Sequence, residues 1–371
     1  MPLPTLKLAA YLAAAAPQVR INLSASSTQS RTLAQLLSLA DEPTQALWET
    51  LGLDYAVSDG HHLLREQLGE HYGLPAQQIL TFAGAVEAIY LTCATLLTPG
   101  DGVIVITPCF EPLLAIPRVC QADITPIPLQ ATAHGWALDL QMLEDAITDN
   151  TQLIIINFPH NPTGAMLSGE DFSALLALAE RVGAWVLSDE VFRLLEYAPA
   201  LRLPTAATQY AKAISLGVMS KAYGLGGVRV GWIACQAADF CARLANAKYY
   251  TAICNGITDE CLALIALRAQ DTILAEQRAI IQRNIEQLAV FMQQHQDQFS
   301  WQPAQAGCVA FLKLRRGGAA EFARQLREQH GILILPGDLF MHAEDVYFRI
   351  GFGQARFIQD LARFDAAVCT P

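Results

Sequence analysis

Ser215-Leu216-Gly217-Val218-Met219-Ser220-Lys221-Ala222-Tyr223-Gly224-Leu225-Gly226-Gly227-Val228-Arg229-Val230-Gly231-Trp232 is the stretch on which the reading of this chain turns. An apolar run of strand length leads in, and a second follows from Val230 to Ala234. Between them lies a glycine-rich loop with one lysine and, eight residues on, one arginine. An amine held in such a loop loses solvation when charged. Its pKa falls, and the neutral form can attack a carbonyl. A solvated surface lysine is the plain alternative, and the rest of the chain decides between the two.

Working outward, apolar runs alternate with amphipathic ones. Strands are expected at Ile79–Phe82, Gly102–Thr107, Leu153–Phe158, Trp185–Ser188, Ala213–Val218 and Val230–Ala234. Helices are expected at His62–Tyr72, from Gly84 to about Leu97, and at Gly169–Arg181. Continuous apolar strands separated by helices imply a mostly parallel sheet covered on both faces, a doubly wound α/β domain. After about Asp271 the texture changes. A long helix (Ala275–Gln294) leads into strands at Val309–Leu314, Ile332–Leu335 and Tyr347–Gly351, with helices at Ala320–His330 and the C-terminus. This α+β pattern implies a smaller second domain. The expected division is 1–45 as an N-terminal segment packing with the small domain, 46–275 as the large domain, and 276–371 as the small one.

The 371 residues are 53% hydrophobic and 16% charged, which suits a large buried core and excludes disorder. A net charge of −11 argues against a nucleic-acid partner. Nine cysteines, with no C-x-x-C pair, sit mostly among apolar neighbours and point to a reducing cytoplasm. Leu6–Ala16 is too short to span a membrane. It reads as a helix lying on the body of the protein rather than a signal peptide.

Four stretches join the lysine loop. Ala83-Gly84-Ala85-Val86-Glu87-Ala88 places a glycine and small residues where a strand turns into a helix, and a helix N-terminus suits a phosphate. Taken alone it is an ordinary turn. Asn157-Phe158-Pro159-His160-Asn161-Pro162-Thr163-Gly164 is a stiff loop that can aim Asn161 as a donor, or simply a structural turn. Ser188-Asp189-Glu190-Val191-Phe192-Arg193 puts a carboxylate at the end of a buried strand, where it needs a partner such as a protonated ring nitrogen, or caps a helix. Arg349, between apolar residues in Tyr347–Phe352, calls for an anion: a bidentate carboxylate ligand or an internal salt bridge.

Together these stretches resemble the aminotransferase class I/II family of pyridoxal 5'-phosphate (PLP) enzymes, fold type I, over nearly the whole chain from about Asn22. The resemblance implies that Lys221 holds PLP covalently and then moves the α-proton. It implies that Asp189 pairs with the ring nitrogen, that Asn161 bonds the ring's 3-oxygen and that Phe110 stacks on the ring. Gly84, Ala85, Ser220 and Arg229 would hold the phosphate. Tyr55 would reach it from a second subunit, making a homodimer with shared sites. Arg349 would grip the substrate's α-carboxylate, with Ser26, Asn161 and His160 also on the substrate side. Two residues depart from the family pattern: Phe192 stands where a tyrosine is usual, and Val218 stands where a Ser or Thr is frequent.

A narrower resemblance concerns the capreomycidine synthases, PLP enzymes acting on arginine derivatives. It rests on Ser26-Ser27-Thr28-Gln29, on Asn157–Ala165 with His160 inside it, and on Phe192. The first reaction expected is therefore elimination and cyclisation of a hydroxylated arginine-like amino acid, with Asp59, Glu111 or His160 as candidate partners for its guanidinium. The second is transamination to a 2-oxo acid. A transcription regulator built on the same fold is disfavoured, because no DNA-binding module fits ahead of Asn22 and the charge is of the wrong sign.

Overall fold

In the computed structural model, which describes residues 3–133 and 135–369, the lysine loop joins two neighbouring strands of a seven-stranded sheet. Along the chain, β1 (Ile21–Asn22) is short, and β2 (Ile79–Phe82), β3 (Gly102–Thr107) and β4 (Asp123–Pro128) follow. A small hairpin of β5 (Gln130–Thr132) and β6 (Gly135–Ala137) precedes β7 (Thr151–Asn157), β8 (Trp185–Asp189), β9 (Ala213–Val218) and β10 (Gly231–Cys235). The spatial order is β2-β10-β9-β8-β7-β3-β4. Only β10 runs against its neighbours, so the sheet is mostly parallel.

The apolar strands are apolar on both faces because the sheet divides two cores. Along β7, Leu153 and Ile155 enter one core and Ile154 and Ile156 the other; β3 does the same with Val103/Val105 and Ile104/Ile106. This is the period-2 geometry of a strand with helices on either side. The carboxyl ends of β7 and β8, at Asn157 and Asp189, are paired in register. These ends therefore stand together at the crevice where open α/β sheets bind ligands.

A second sheet, β11 (Phe299–Trp301), β12 (Val309–Leu314), β14 (Leu335–Pro336) and β15 (Tyr347–Gly351), has the order β11-β12-β15-β14 and is antiparallel. The N-terminal segment is stitched to this part of the chain. β1 pairs in parallel with β13 (Ile332–Leu333), and Gly351 N–H donates to the Leu23 carbonyl at 2.6 Å. A Cβ on Gly351 would stand 1.6 Å from the Ala25 carbonyl oxygen, so only glycine lets segment and strand approach this closely. The approach carries Asn22–Ser30 across the front of the lysine loop, where Thr28 Oγ1 donates to the Lys221 carbonyl at 2.7 Å.

The strands at Ile79–Phe82, Gly102–Thr107, Ala213–Val218, Val309–Leu314 and Tyr347–Gly351 form residue for residue as the pattern expects, as does the helix His62–Tyr72. Three expectations are corrected. Ile332–Leu335 is two short strands broken at Ile334, and the helix expected from Ala275 begins at Gln270. The helix expected over Ala320–His330 is regular only at Ala319–Gln325 and then widens into a π turn. No helix among the described residues is long and apolar enough to cross a membrane.

Candidate active site

At the mouth of the crevice a cavity of about 410 Å³ collects Asn161, Asp189, Lys221, Arg229 and Arg349 from four separate segments, Lys221 and Arg229 sharing one loop. Phe110, Ala85, Ser26 and Ser220 line it as well.

Lys221 sits in the turn between β9 and β10. The turn is closed by Met219 N–H donating to the Val230 carbonyl at 3.0 Å. Lys221 Nζ donates to Ser26 Oγ at 2.8 Å and stands 5.6 Å from the centre of the Phe192 ring. Burial pushes its pKa down to about 8, and the nearby Arg349 and Arg229 add to the fall, while Asp189 opposes it. About a tenth of the amine is then neutral, and nucleophilic, at pH 7, far more than for an ordinary lysine.

Asp189 ends β8, is 3% exposed, and accepts from Val191 N–H at 3.1 Å. Burial pushes its carboxyl up to about 7, against the pull of that N–H and of Lys221. None of the ion pairs among the described residues includes it, so it is a buried acid in want of a cation. Asn157, one strand over, holds the arrangement together. Its Nδ2 donates to the Asp189 carbonyl at 2.8 Å, and its Oδ1 accepts from Asn161 N–H at 2.9 Å. One side chain thereby ties the proline-rich loop to the end of β8.

Arg349 mirrors Asp189. It is 4% exposed; Nη1 donates to Asn161 Oδ1 at 2.8 Å and Nη2 to the Ser24 carbonyl at 2.5 Å. Its guanidinium lies 4.8 Å from the centre of the Phe340 ring. Burial draws its pKa down to about 10, Nε has no partner, and no carboxylate pairs with it among the described residues. The internal salt bridge that the sequence left open is not there. Because Arg349 occupies the carbonyl end of Asn161, the amide NH2 is the end left to donate.

Opposite these groups, Gly84 opens the helix Ala85–Leu96 at φ +94, a backbone shape that side chains rarely adopt. A Cβ there would lie 2.3 Å from Arg229 Nη2. Arg229 reaches the same place, its Nη2 3.4 Å from the Ala83 carbonyl. A bare backbone, the first N–H groups of a helix and a guanidinium around one point make a cradle for a phosphate.

Other candidates fall elsewhere. His160 does not line the cavity; its Nδ1 shares a 2.7 Å hydrogen bond with Thr163 Oγ1, and burial lowers its pKa to about 3, so it is neutral. Asp59 pairs with Arg65 at 2.6 Å. Glu111 accepts from Lys7 N–H at 2.8 Å and Leu8 N–H at 2.9 Å, and thus serves helix α1 (Lys7–Ala15). Tyr55 is 87% exposed and does not line this cavity. Leu8, Leu12, Ile89 and Leu335 also line it, as do Asn22, Ser24 and Val191, and none of these was singled out by the sequence as a site residue.

The donor set fits PLP. Asp189 lacks a cation, Arg349 lacks an anion, the Gly84 turn leaves room for a phosphate, and a neutralisable lysine faces all three. The fold is that of a PLP-dependent enzyme of fold type I. The match to the family Aminotransferase class I and II runs over residues 20–363, and the chain belongs to that family. It is 29% identical to a capreomycidine synthase of Streptomyces vinaceus over 358 residues, 91% of this chain and 87% of that one. It is also 29% identical to an arginine–pyruvate transaminase of Pseudomonas aeruginosa over 312 residues, 80% of this chain and 77% of that one. A PLP-dependent aminotransferase from Streptococcus suis superposes with a TM-score of 0.91 at 29% identity, covering 99% of this chain and 98% of that chain.

Proposed function

We propose that the enzyme is an aminotransferase whose L-α-amino acid substrate is held by Arg349. The observation that carries this reading is the buried guanidinium with an unpartnered Nε and no protein carboxylate, in the same cavity as Lys221. When bound, PLP supplies the electron sink that makes the α-proton removable. The chain's own residues do the rest. Arg349 takes the α-carboxylate through charge-assisted hydrogen bonds, which fixes the direction of the α-hydrogen. Lys221 Nζ, with Ser26 Oγ 2.8 Å away as its resting partner, removes that proton and returns it. Asp189 would hold the ring-nitrogen proton, Asn161 Nδ2 would donate to the 3-oxygen, and Phe110 would cover the ring. The helix start at Gly84 and Ala85, with Ser220 and Arg229, would anchor the phosphate.

Cyclisation of an arginine-like substrate is the second reading, favoured by the capreomycidine synthase relative. Two observations weigh against it. The two acids suggested for the guanidinium are engaged elsewhere, Glu111 with α1 and Asp59 with Arg65, and His160 is neutral and off the cavity wall. Expelling a side-chain hydroxyl also needs a proton donor, and with Asp189 kept for the ring nitrogen Lys221 would have to serve both the α-proton and the hydroxyl.

The same reading includes a homodimer. Leu53, Tyr55, Val57, Tyr90, Tyr249 and Tyr250 are all exposed, an apolar surface that suits a second copy bringing its Tyr55 to the phosphate. It takes residues 46–275 as the PLP domain and 276–371 as the small domain, with 1–45 packed on the latter. All nine cysteines are free, which suits the cytoplasm.

The test uses the holoenzyme and one amino acid at a time. An aminotransferase loses the visible absorption of the lysine-bound cofactor with the amino acid alone, and a 2-oxo acid restores it. Return of the absorption without an added oxo acid, together with a cyclised product, would replace this reading by the second.

A further inference from the structure

The cavity has two ends with different chemistry. Its charged groups are Asp189, Lys221, Arg229 and Arg349, and each already has a role toward the cofactor or the α-carboxylate. Among the described residues of this chain, no charged group of the cavity is left for a substrate side chain. The rest of the wall is uncharged: Leu8 and Leu12 from α1, Val86 and Ile89 from the helix Ala85–Leu96, and Leu335 from β14 are apolar, and Asn22 and Ser24 hydrogen-bond each other.

Helix α1 is an unusual wall. Ala15 is its one buried residue, and Leu12 is 38% exposed. Leu8 and Tyr11 pack against the core beneath it, and polar contacts fix its position. The 6%-exposed Glu111 carboxylate takes the N–H groups of Lys7 and Leu8, at the positively polarised end of the helix. Tyr11 OH donates to the Ile334 carbonyl at 3.1 Å, and the Arg327 guanidinium lies 5.6 Å from the centre of the Tyr11 ring. The latch faces away from catalysis, but it decides where Leu8 and Leu12 stand.

From this we infer that α1, latched by Glu111, is the specificity wall of the enzyme, and that Leu8 and Leu12 select amino acids with uncharged, apolar side chains. The inference rests on the proposed α-amino acid site at Arg349. A charged side chain placed against this wall would lose its water and gain no partner. An apolar one would bury its surface against leucine.

The test is a titration of the holoenzyme with leucine, methionine, phenylalanine, arginine, lysine and glutamate. The readouts are the absorption of the lysine-bound cofactor and the rate of proteolytic cleavage within α1. Wild-type enzyme should half-respond to the apolar amino acids at concentrations at least about tenfold below those for the charged ones. Only the apolar ones should slow cleavage of α1, because they pack against it. Leu8→Glu should move the preference toward arginine and lysine by about tenfold or more, since it sets a carboxylate at the side-chain end. Leu12→Glu, at a half-exposed position that tolerates polarity, should do the same more weakly.

A wild-type preference for arginine, lysine or glutamate overturns the inference and leaves the amino acid site standing. Equal weakening of all six amino acids by both variants overturns it too, because the leucines would then only support the fold. No response to any amino acid, wild type included, removes the site at Arg349 and this inference with it.

Discussion

The two ends of the cavity are built in opposite ways. The cofactor end hangs from strand ends of a seven-stranded sheet, and its side chains hold one another: Asn157 fixes Asp189 and Asn161, and Asn161 takes Arg349. The proposed substrate end rests on one mostly exposed helix, held by two N–H donors to Glu111, by Tyr11 and by the packing of Leu8 and Tyr11 on the core. Charge chemistry needs preorganised groups, which a buried sheet supplies. Selecting a side chain needs only a wall of the right polarity, and a surface helix can change its sequence without disturbing the core. In such a plan the reaction and the substrate can vary separately.

If the comparison holds, substitutions at the cofactor end should damage turnover for every amino acid alike. Lys221→Ala should have the largest effect. It removes both the covalent anchor and the base, and kcat should fall on the order of 10⁴-fold. The protein should still bind PLP, but without the absorption of the lysine-linked form. Turnover within tenfold of wild type would remove the lysine from the mechanism and break the comparison at its strongest point.

Arg349→Ala comes next. Two charge-assisted hydrogen bonds to a carboxylate are worth about 1.5–3 kcal/mol each, so kcat/KM should fall about 10²–10³-fold or more. Because Asn161 also loses its partner, part of the loss should appear in kcat. Arginine, leucine and phenylalanine should suffer equally, since the α-carboxylate is common to all. A loss confined to one side-chain class would mean that Arg349 reads the side chain instead.

The pH dependence of cofactor capture probes the same end more gently. A buried lysine with its pKa lowered to about 8 is mostly charged at pH 6 and mostly neutral at pH 9. Burial raises Asp189 to about 7, so its carboxylate form also gains with pH through that range. Both shifts act in one direction. The rate at which apoprotein takes up PLP covalently should rise about tenfold or more from pH 6 to 8 and level off above 9. A midpoint near 10.5, the ordinary lysine value, would show that the site does not depress the amine.

The same asymmetry governs what could be read from sequence. The proposed cofactor residues stand out locally: Asp189 ends an apolar strand, Lys221 and Gly84 lie in glycine-marked turns, Asn161 lies between prolines, and Arg349 is the one charge of an apolar strand. The substrate wall does not, because Glu111 meets backbone groups 104 and 103 residues away. Read locally, it was an acid in search of a guanidinium. The fold shows the same split. Ile257–Arg268 escaped notice as a helix because Glu260 through Leu267 are all buried, and a helix buried all round has no amphipathic period. Strand β4 escaped because Pro126 and Pro128 read as breakers, yet β4 is an edge strand paired only with β3, where missing N–H groups cost little.

Phe192 gives the smallest effect, and it tests the boundary between the two ends. Its ring is fully buried and lies 5.6 Å from Lys221 Nζ. The ordinary residue of the family there is tyrosine, which adds one hydroxyl beside the lysine. Phe192→Tyr should bring a hydrogen-bond donor toward the 3-oxygen and favour its ionised form. The pH at which the cofactor absorption changes should move down by about one unit or less. The ring is fully buried, so fitting the added hydroxyl should cost about 1–3 kcal/mol of stability. Rates should change by less than about tenfold, and by the same factor for leucine and phenylalanine, because Phe192 is outside the cavity wall. A change that depends on the substrate side chain would extend the specificity wall into the sheet and erase the division between fixed chemistry and adjustable selection.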